Sequence, residues 1–378
     1  MKEASGIAWA GLAALAVAMG IGRFAFTPIL PMMQQDAGLT VAGGGWLASA
    51  NYLGYFVGAL WAGASHASRL PPATAIRGGL LAIGLATLAM AWDAGFAAWV
   101  AWRAIAGVAS AWVLVHAAAW SMEQFARAGR PLLNGVFFAG VGAGIVLAGT
   151  LCAVLLTRGS TSTRAWQILA VVAFALTVAV WPVFGSARAP AHQPGAGGGW
   201  TWPQSRLVIA YGAYGFGYII PATFLPVMAR AVAPDPAVFG WAWPVFGAAA
   251  VISTLAVAPL SSRYGSRAAW IGSQCVMAFG VAAPVFLPGI AGILLAALCV
   301  GGTFVVLTMV GMQEARKIAG ARATRVMAAM TAAFAAGQII GPLCVGAMAG
   351  PGGFTAALLL ACAVLLAGAG TLLIKAND

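Results

Sequence analysis

GIGRFAFTPILPMM, residues 20–33, returns 195 residues later as GFGYIIPATFLPVM, residues 215–228. Gly20, Gly22, Leu30, Pro31 and Met33 stand against Gly215, Gly217, Leu225, Pro226 and Met228 without a gap. Trp46 and Trp241 keep the same offset, and Gly140, Gly144 and Gly149 match Gly337, Gly341 and Gly346 at 197. Met122-Glu123 falls near Met312-Gln313-Glu314. Ordered matches at nearly one offset, in several apolar stretches, indicate a duplicated unit.

The unit is built for lipid. Of 378 residues, 62% are hydrophobic and 7% charged, against about 45–50% and about 25% in soluble domains. A globular fold has too little interior to hide that surface. A helical span needs about 20 apolar residues. Stretches of that length run near 7–33, 44–65, 73–92, 95–120, 131–156 and 165–185. A Pro/Gly-rich break follows, and six more run near 206–229, 237–260, 268–287, 289–312, 325–349 and 354–374. The reading is an all-α integral membrane protein of about twelve helices. Residues 1–186 form a first six-helix bundle, 187–203 a cytoplasmic central loop and 204–378 a second bundle. The first apolar stretch exceeds a signal-peptide core of about 7–15 residues and recurs later, so it is assigned to the mature fold.

Charge sets the expected orientation. With the N-terminus inside, fourteen of the nineteen Lys and Arg residues fall on the cytoplasmic side; Arg158, Arg164 and Arg230 fall outside, and only Arg23 and Arg103 lie within spans. That asymmetry places both termini in the cytoplasm and the chain in a bacterial inner membrane. The net charge of +12 is dispersed in ones and twos, which argues against nucleic acid as a partner. The five cysteines lie singly in apolar stretches, with no metal or redox spacing. A catalytic dyad, a metal cluster and a soluble output domain are all missing from the pattern, which argues against an enzyme or a sensor.

A six-span unit repeated in one orientation gives halves related by an axis along the membrane normal, with a site at their interface near mid-membrane. The chain resembles the major facilitator superfamily over nearly its whole length. Leu260-Ser-Ser262-Arg263-Tyr-Gly265-Ser-Arg267 is similar to that superfamily's cytoplasmic loop, with Ser262 where an acid is usual, and Gly63 to Arg69 is a degraded first-half copy. Arg103-Ala-Ile-Ala-Gly107 resembles its Arg-x-x-x-Gly element. GIGRFAFTPILPMM, FGYIIPATFLP and GQIIGP resemble the YbfB/YjiJ-type branch of uncharacterised transporters. The resemblance implies an alternating-access carrier of a small solute, without a cofactor or metal and working as a monomer.

Arg23 lies about 24 Å into its helix at 1.5 Å per residue, and Arg103 is expected at similar depth. A buried Arg costs about 2.5–3.5 kcal/mol on insertion scales, so each must face water, a partner or a ligand. The seven acids all lie near loops or helix ends. Two buried cations without a buried anion point to a small organic anion as solute, held by paired guanidinium donors; bonding of Arg103 to backbone carbonyls is the other reading of that residue. Asn51, Tyr55, Tyr214, Tyr218 and Gln338 complete the expected cavity; inter-helix bonds are the other reading of Asn51, Tyr55 and Gln338, and packing that of the helix-seven tyrosines. Tyr211, Tyr214 and Tyr218 share one helix face. His116, Glu123 and Glu314 are the candidate proton carriers, and a proton-coupled multidrug or metabolite exporter is the competing function. Gly107, Gly140, Gly144, Gly337 and Gly341 read as packing and hinge positions. Pro31 and Pro226, with Pro28 and Pro221, are expected to kink helices one and seven and free carbonyls for a wet cavity. Arg263 and Arg267 are assigned to the loop.

Overall fold

The computed structural model describes residues 2–64, 70–185, 187, 199–232, 236–348 and 355–374, without the side chains of 2, 41, 223–232, 236–242 and 345–347. Among these residues there are no strands. In lipid every backbone group must find its partner within the protein, and a helix does this segment by segment.

The chain opens with a composite rod. It comprises α1 (Lys2–Leu15), a π-helical segment (Ala16–Phe24) and α2 (Phe26–Asp36). Eleven further helices follow among the described residues: α3 (Val41–Gly63), α4 (Pro72–Ala89), α5 (Phe96–Arg127), α6 (Leu133–Thr157), α7 (Ser162–Gly185), α8 (Trp202–Val232), α9 (Pro236–Tyr264), α10 (Ser266–Phe286), α11 (Ile290–Ala319), α12 (Ala323–Met348) and α13 (Thr355–Leu373). With the opening rod they make the expected twelve. Nine stretches of the described residues are long and apolar enough to cross a membrane, one of them, Ile290–Cys344, covering most of α11 and α12 together. Most of the expected 187–203 link lies outside the described residues, and its last two residues already belong to α8.

Turns between helices are tight. Gly265 joins α9 to α10 alone, at φ +92°, a left-handed backbone that a side chain would strain. Asp36, closing α2, accepts from the Ser162 hydroxyl at 2.7 Å and from the Ser162 amide, tying the first rod to the N-terminus of α7.

The two six-helix bundles, the first rod through α7 and α8 through α13, meet along two helix pairs, α3 with α12 and α6 with α9. A twofold axis that carries α3 onto α9 and α6 onto α12 exchanges these pairs, as the tandem repeat requires. Large apolar side chains on the outer helices face outward, Val171 and Val178 on α7 and Phe279 and Phe286 on α10 among them. So broad an apolar exterior suits lipid rather than water.

Glycine brings the backbones together. A Cβ on Gly140 would lie 2.1 Å from the Leu12 carbonyl oxygen, and one on Gly144 would lie 2.6 Å from that of Ala16 and 2.8 Å from Gly20 Cα. In the second bundle Gly337 abuts Gly212 and Phe216. At the 195-residue offset those positions correspond to 17 and 21, one residue on from the Ala16 and Gly20 that Gly144 meets. Gly20 meets Gly144 whereas its repeat partner Gly215 meets Phe334, so the packing of the fifth helices is shifted from the sequence match of Gly140 to Gly337. Gly341 packs on Ile219. Gly149 abuts Pro244 of the other bundle, while Gly346 and Trp241 lie outside the described side chains.

Candidate functional site

Arg23 stands at the end of the π segment, 3% exposed, between the two bundles. Its Nη2 donates to Gln338 Oε1 on α12 at 2.6 Å, a bond across the bundle interface. Its Cζ lies 3.9 Å from the Tyr55 ring centre, with the Phe24, Tyr52 and Phe334 rings at 5.4, 5.8 and 6.0 Å. Its Nε and Nη1 have no hydrogen-bond partner, nor has Gln338 Nε2.

The π segment explains how Arg23 comes to be held there. In a π turn each carbonyl bonds to the amide five residues on. For Arg23 that residue is Pro28, which has no N–H. The carbonyl is taken up by Arg103 of α5, whose Nη2 donates to it at 3.3 Å. Arg103 Nη1 donates to the Gly22 carbonyl at 3.2 Å and its Nε to that of Leu47 at 3.4 Å. Asn51 Nδ2 donates to the carbonyls of Gly22 and Arg103 at 3.3 and 3.0 Å, and Ser110 Oγ to that of Ala18 at 2.7 Å. The expected irregularity of helix one thus lies upstream of Pro28 and Pro31, and side chains from α3 and α5 satisfy the freed carbonyls. Pro31 lies inside α2; the Pro226 side chain lies outside those described. Gly107 lets α3 approach α5 here, since a Cβ would meet the Asn51 carbonyl oxygen at 2.2 Å.

Tyr218, the repeat partner of Arg23, shares Phe334 with it; the ring centres of Tyr218 and Phe334 are 6.1 Å apart. Tyr218 also stacks on Phe304 at 5.4 Å, and Phe304 on Phe246 at 5.0 Å; Phe246 stacks on Trp243 at 5.3 Å. Tyr214 donates to the Phe304 carbonyl at 2.6 Å. Phe24 joins the two halves by reaching Phe304 and Trp243, 6.0 and 6.3 Å away. Tyr52, Phe334, Phe304 and Trp243 escaped the sequence reading, because aromatic residues in apolar spans look alike until the helices are packed.

The other candidates sit apart from this cluster. His116 joins its Nδ1 to the Trp112 carbonyl at 2.9 Å and lines a separate cavity of about 630 Å³. That cavity opens at the ends of α5 and α11 and is also lined by Glu123, Arg127, Asn134, Arg316 and Lys317. Glu123 pairs with Arg127, and Arg316 donates across the bundles to the Met122 carbonyl at 2.8 Å. Glu314, buried, accepts from the Ser266 hydroxyl at 2.5 Å and from Arg267 at 3.1 Å. Arg267 therefore finds its acid on α11, although Ser262 stands where the loop pattern has one. Arg263 stacks on Tyr264 at 5.2 Å. Residues 65–69 of the degraded first-half loop lie outside the described residues. Among the described residues, no three of His, Cys, Asp or Glu converge as metal ligands.

A family model described as "Uncharacterised MFS-type transporter YbfB" matches residues 15–373. The chain is also similar in fold to the human organic anion transporter MFSD10 (TETRAN), with a TM-score of 0.77 at 14% identity, covering 98% of this chain and 99% of that one. A second similar structure is that of FucP, a Major Facilitator Superfamily transporter in the outward conformation, with a TM-score of 0.74 at 16% identity over 97% and 99%. A comparison with curated proteins finds no match.

Proposed function

We propose, from the premise that this chain belongs to the YbfB-type family of MFS transporters, that the solute it carries is a small organic anion bound at Arg23. Members of the family are membrane transporters, not enzymes, and the chain has their alternating-access fold.

The observation that carries the anion reading is the unmatched donor set at the bundle interface. Arg23 Nε and Nη1 and Gln338 Nε2 are buried N–H groups without an acceptor. Leaving such groups unpaired costs about 1–3 kcal/mol each, and more when charged. An anion entering between the halves supplies the acceptors. Because Arg23 belongs to the first bundle and Gln338 to the second, a bound anion bridges both, so its binding is coupled to their rocking. The similar MFSD10 is named as an organic anion transporter, which agrees as an analogy of fold.

In this reading the charge asymmetry puts the termini, and the cavity between α5 and α11, on the cytoplasmic side of a bacterial inner membrane. The carrier works as a monomer without a cofactor. Of the three residues considered for proton coupling, none adjoins Arg23. Glu123 and Glu314 are paired with arginines at helix ends, and His116 lines the cytoplasmic cavity. Among the described residues, the competing proton-linked exporter has no carboxylate bonded to Arg23 in its favour; Glu123 stands at the bundle interface only in the cavity between α5 and α11.

The test is uptake into liposomes containing the purified protein, with labelled acetate, benzoate and succinate as probes. Arg23→Ala should lower uptake of the transported anion at least about tenfold, the loss of one charge-assisted pair. Unchanged uptake by a folded Arg23→Ala variant would overturn the reading.

A further inference from the structure

Around Arg23 the unmatched buried groups are nitrogen donors, apart from the acceptor Asn51 Oδ1. A guanidinium carries five N–H donors and no acceptor. Nη2 is engaged by Gln338 Oε1, and that bond fixes the Gln338 amide with its Nε2 as the open group. Trp243 of α9, one ring beyond Phe24, also has a buried Nε1–H without a partner. The open groups of Arg23, Gln338 and Trp243 are all donors. A carboxylate, with two oxygens and about four lone-pair sites, is the group that fits them.

The same groups favour a single charge. Arg103 is the other cation at this depth, but each of its three nitrogens already donates to a backbone carbonyl. The Asn51 amide is wedged between the carbonyls of Gly22 and Arg103. A second carboxylate on the solute would therefore meet a cation that already serves the carbonyls of Gly22, Arg23 and Leu47 and has two N–H groups left, a poorer partner than Arg23.

The surroundings are flat and apolar. Trp243, Phe246, Phe304 and Tyr218 form a ladder of nearly parallel rings, with successive interplanar angles of 5°, 22° and 17° and centres 5.0–5.4 Å apart. Phe334 continues it at 25° to Tyr218 and 6.1 Å. The ladder draws on α9, α11, α8 and α12, all in the second bundle, whereas Arg23 and Tyr55 belong to the first. Offset stacking on such faces favours a planar guest over a puckered one of equal size. The Tyr214 hydroxyl, which a polyol could otherwise use, is bonded to the Phe304 carbonyl.

Resting on the anion reading above, we infer that the solute is a monocarboxylate with a flat aromatic or conjugated body. Its carboxylate meets Arg23, Gln338 and Trp243, and its ring lies along the Trp243–Phe246–Phe304–Tyr218 ladder as the bundles part.

Thermal-shift and competition measurements on the purified protein test this, since a ligand that binds the folded state raises its apparent stability. The probes are benzoate, cyclohexanecarboxylate, phthalate and benzamide. They vary planarity, a second charge and the loss of charge around one framework. Benzoate should bind about fivefold or more tighter than cyclohexanecarboxylate and phthalate, and benzamide should not compete. Phe304→Leu should bring benzoate and cyclohexanecarboxylate together, and Trp243→Phe should weaken both alike. The ratio of benzoate to cyclohexanecarboxylate affinity is taken within each variant, so it does not depend on how much of it folds. If cyclohexanecarboxylate or phthalate binds as well as benzoate, the monocarboxylate-ring inference falls and the anion reading stands. If benzamide outcompetes all three anions, both fall.

Discussion

Arg103 holds Arg23 by its backbone, donating from Nη2 to the Arg23 carbonyl at 3.3 Å, while the Arg23 side chain reaches across the bundle interface to Gln338. The two arginines are equally buried, yet one guanidinium has every nitrogen bonded to a carbonyl and the other has two nitrogens without a partner. The first arrangement makes the second possible. Without Arg103, the π turn that presents Arg23 would carry a buried carbonyl facing a proline.

Arg103→Lys should therefore act on Arg23 at one remove. A lysine is a point donor and cannot span three carbonyls as the guanidinium fork does. Stability should drop by about 1–2 kcal/mol, the upper range for interhelical hydrogen bonds in membranes. The KM for the transported anion should also rise severalfold as the π turn loosens. Lower thermal stability with an unchanged KM would mean that Arg103 supports the fold without positioning Arg23.

Gln338 offers a sharper discrimination. Gln338→Glu places a carboxylate beside Arg23 and should outcompete the solute, lowering anion uptake at least about tenfold while thermal stability is kept or raised by the new pair. Gln338→Leu instead leaves Arg23 with one more open donor, a loss of about 1–3 kcal/mol, and should weaken anion binding severalfold through the lost Gln338 donor without the block that a carboxylate imposes. Wild-type anion uptake by Gln338→Glu would place the anion elsewhere.

The glycine contacts predict a graded series. A Cβ on Gly140 falls 2.1 Å from a backbone oxygen, whereas one on Gly78 meets nothing within 4 Å. Gly140→Val should destabilise by about 1–3 kcal/mol or more, and Gly78→Ala should change stability by no more than about 0.5 kcal/mol. Thermal unfolding in detergent measures both. Equal effects would mean that the close approach of α1 and α6 is not as drawn.

At the ends of α5 and α11, the Arg316 bond to the Met122 carbonyl joins the bundles. Arg316→Ala should favour the state open on that face. In a background without the native cysteines, a cysteine at Asn134, which lines the cavity there, should then react at least about twofold faster with a membrane-impermeant thiol reagent applied to that face, as the open population grows. An unchanged rate would remove this bond from the gating of that face.

The spans, the tandem repeat and the burial of Arg23 within the first rod were legible along the chain. Lipid imposes helices about 20 residues long, and duplication leaves matched punctuation such as Leu30-Pro31 and Leu225-Pro226. Those are local or periodic properties. Whether a buried arginine serves a carbonyl or a solute is not. Arg23 and Arg103 read alike in sequence and part company only when α3 and α5 close on the π segment. Likewise, Gly140 matches Gly337 along the chain, but the packing partners differ: Gly140 meets Leu12 and Gly337 meets Gly212 and Phe216, a shift in helix contact that an alignment does not show. The ring ladder from Trp243 to Phe334 draws on four helices. Stacking depends on angles between helix faces, which no one-dimensional pattern encodes. The sequence by itself determined a duplicated helical protein for lipid with two arginines inside its spans; the packing of its helices decided which of them keeps nitrogens without an acceptor.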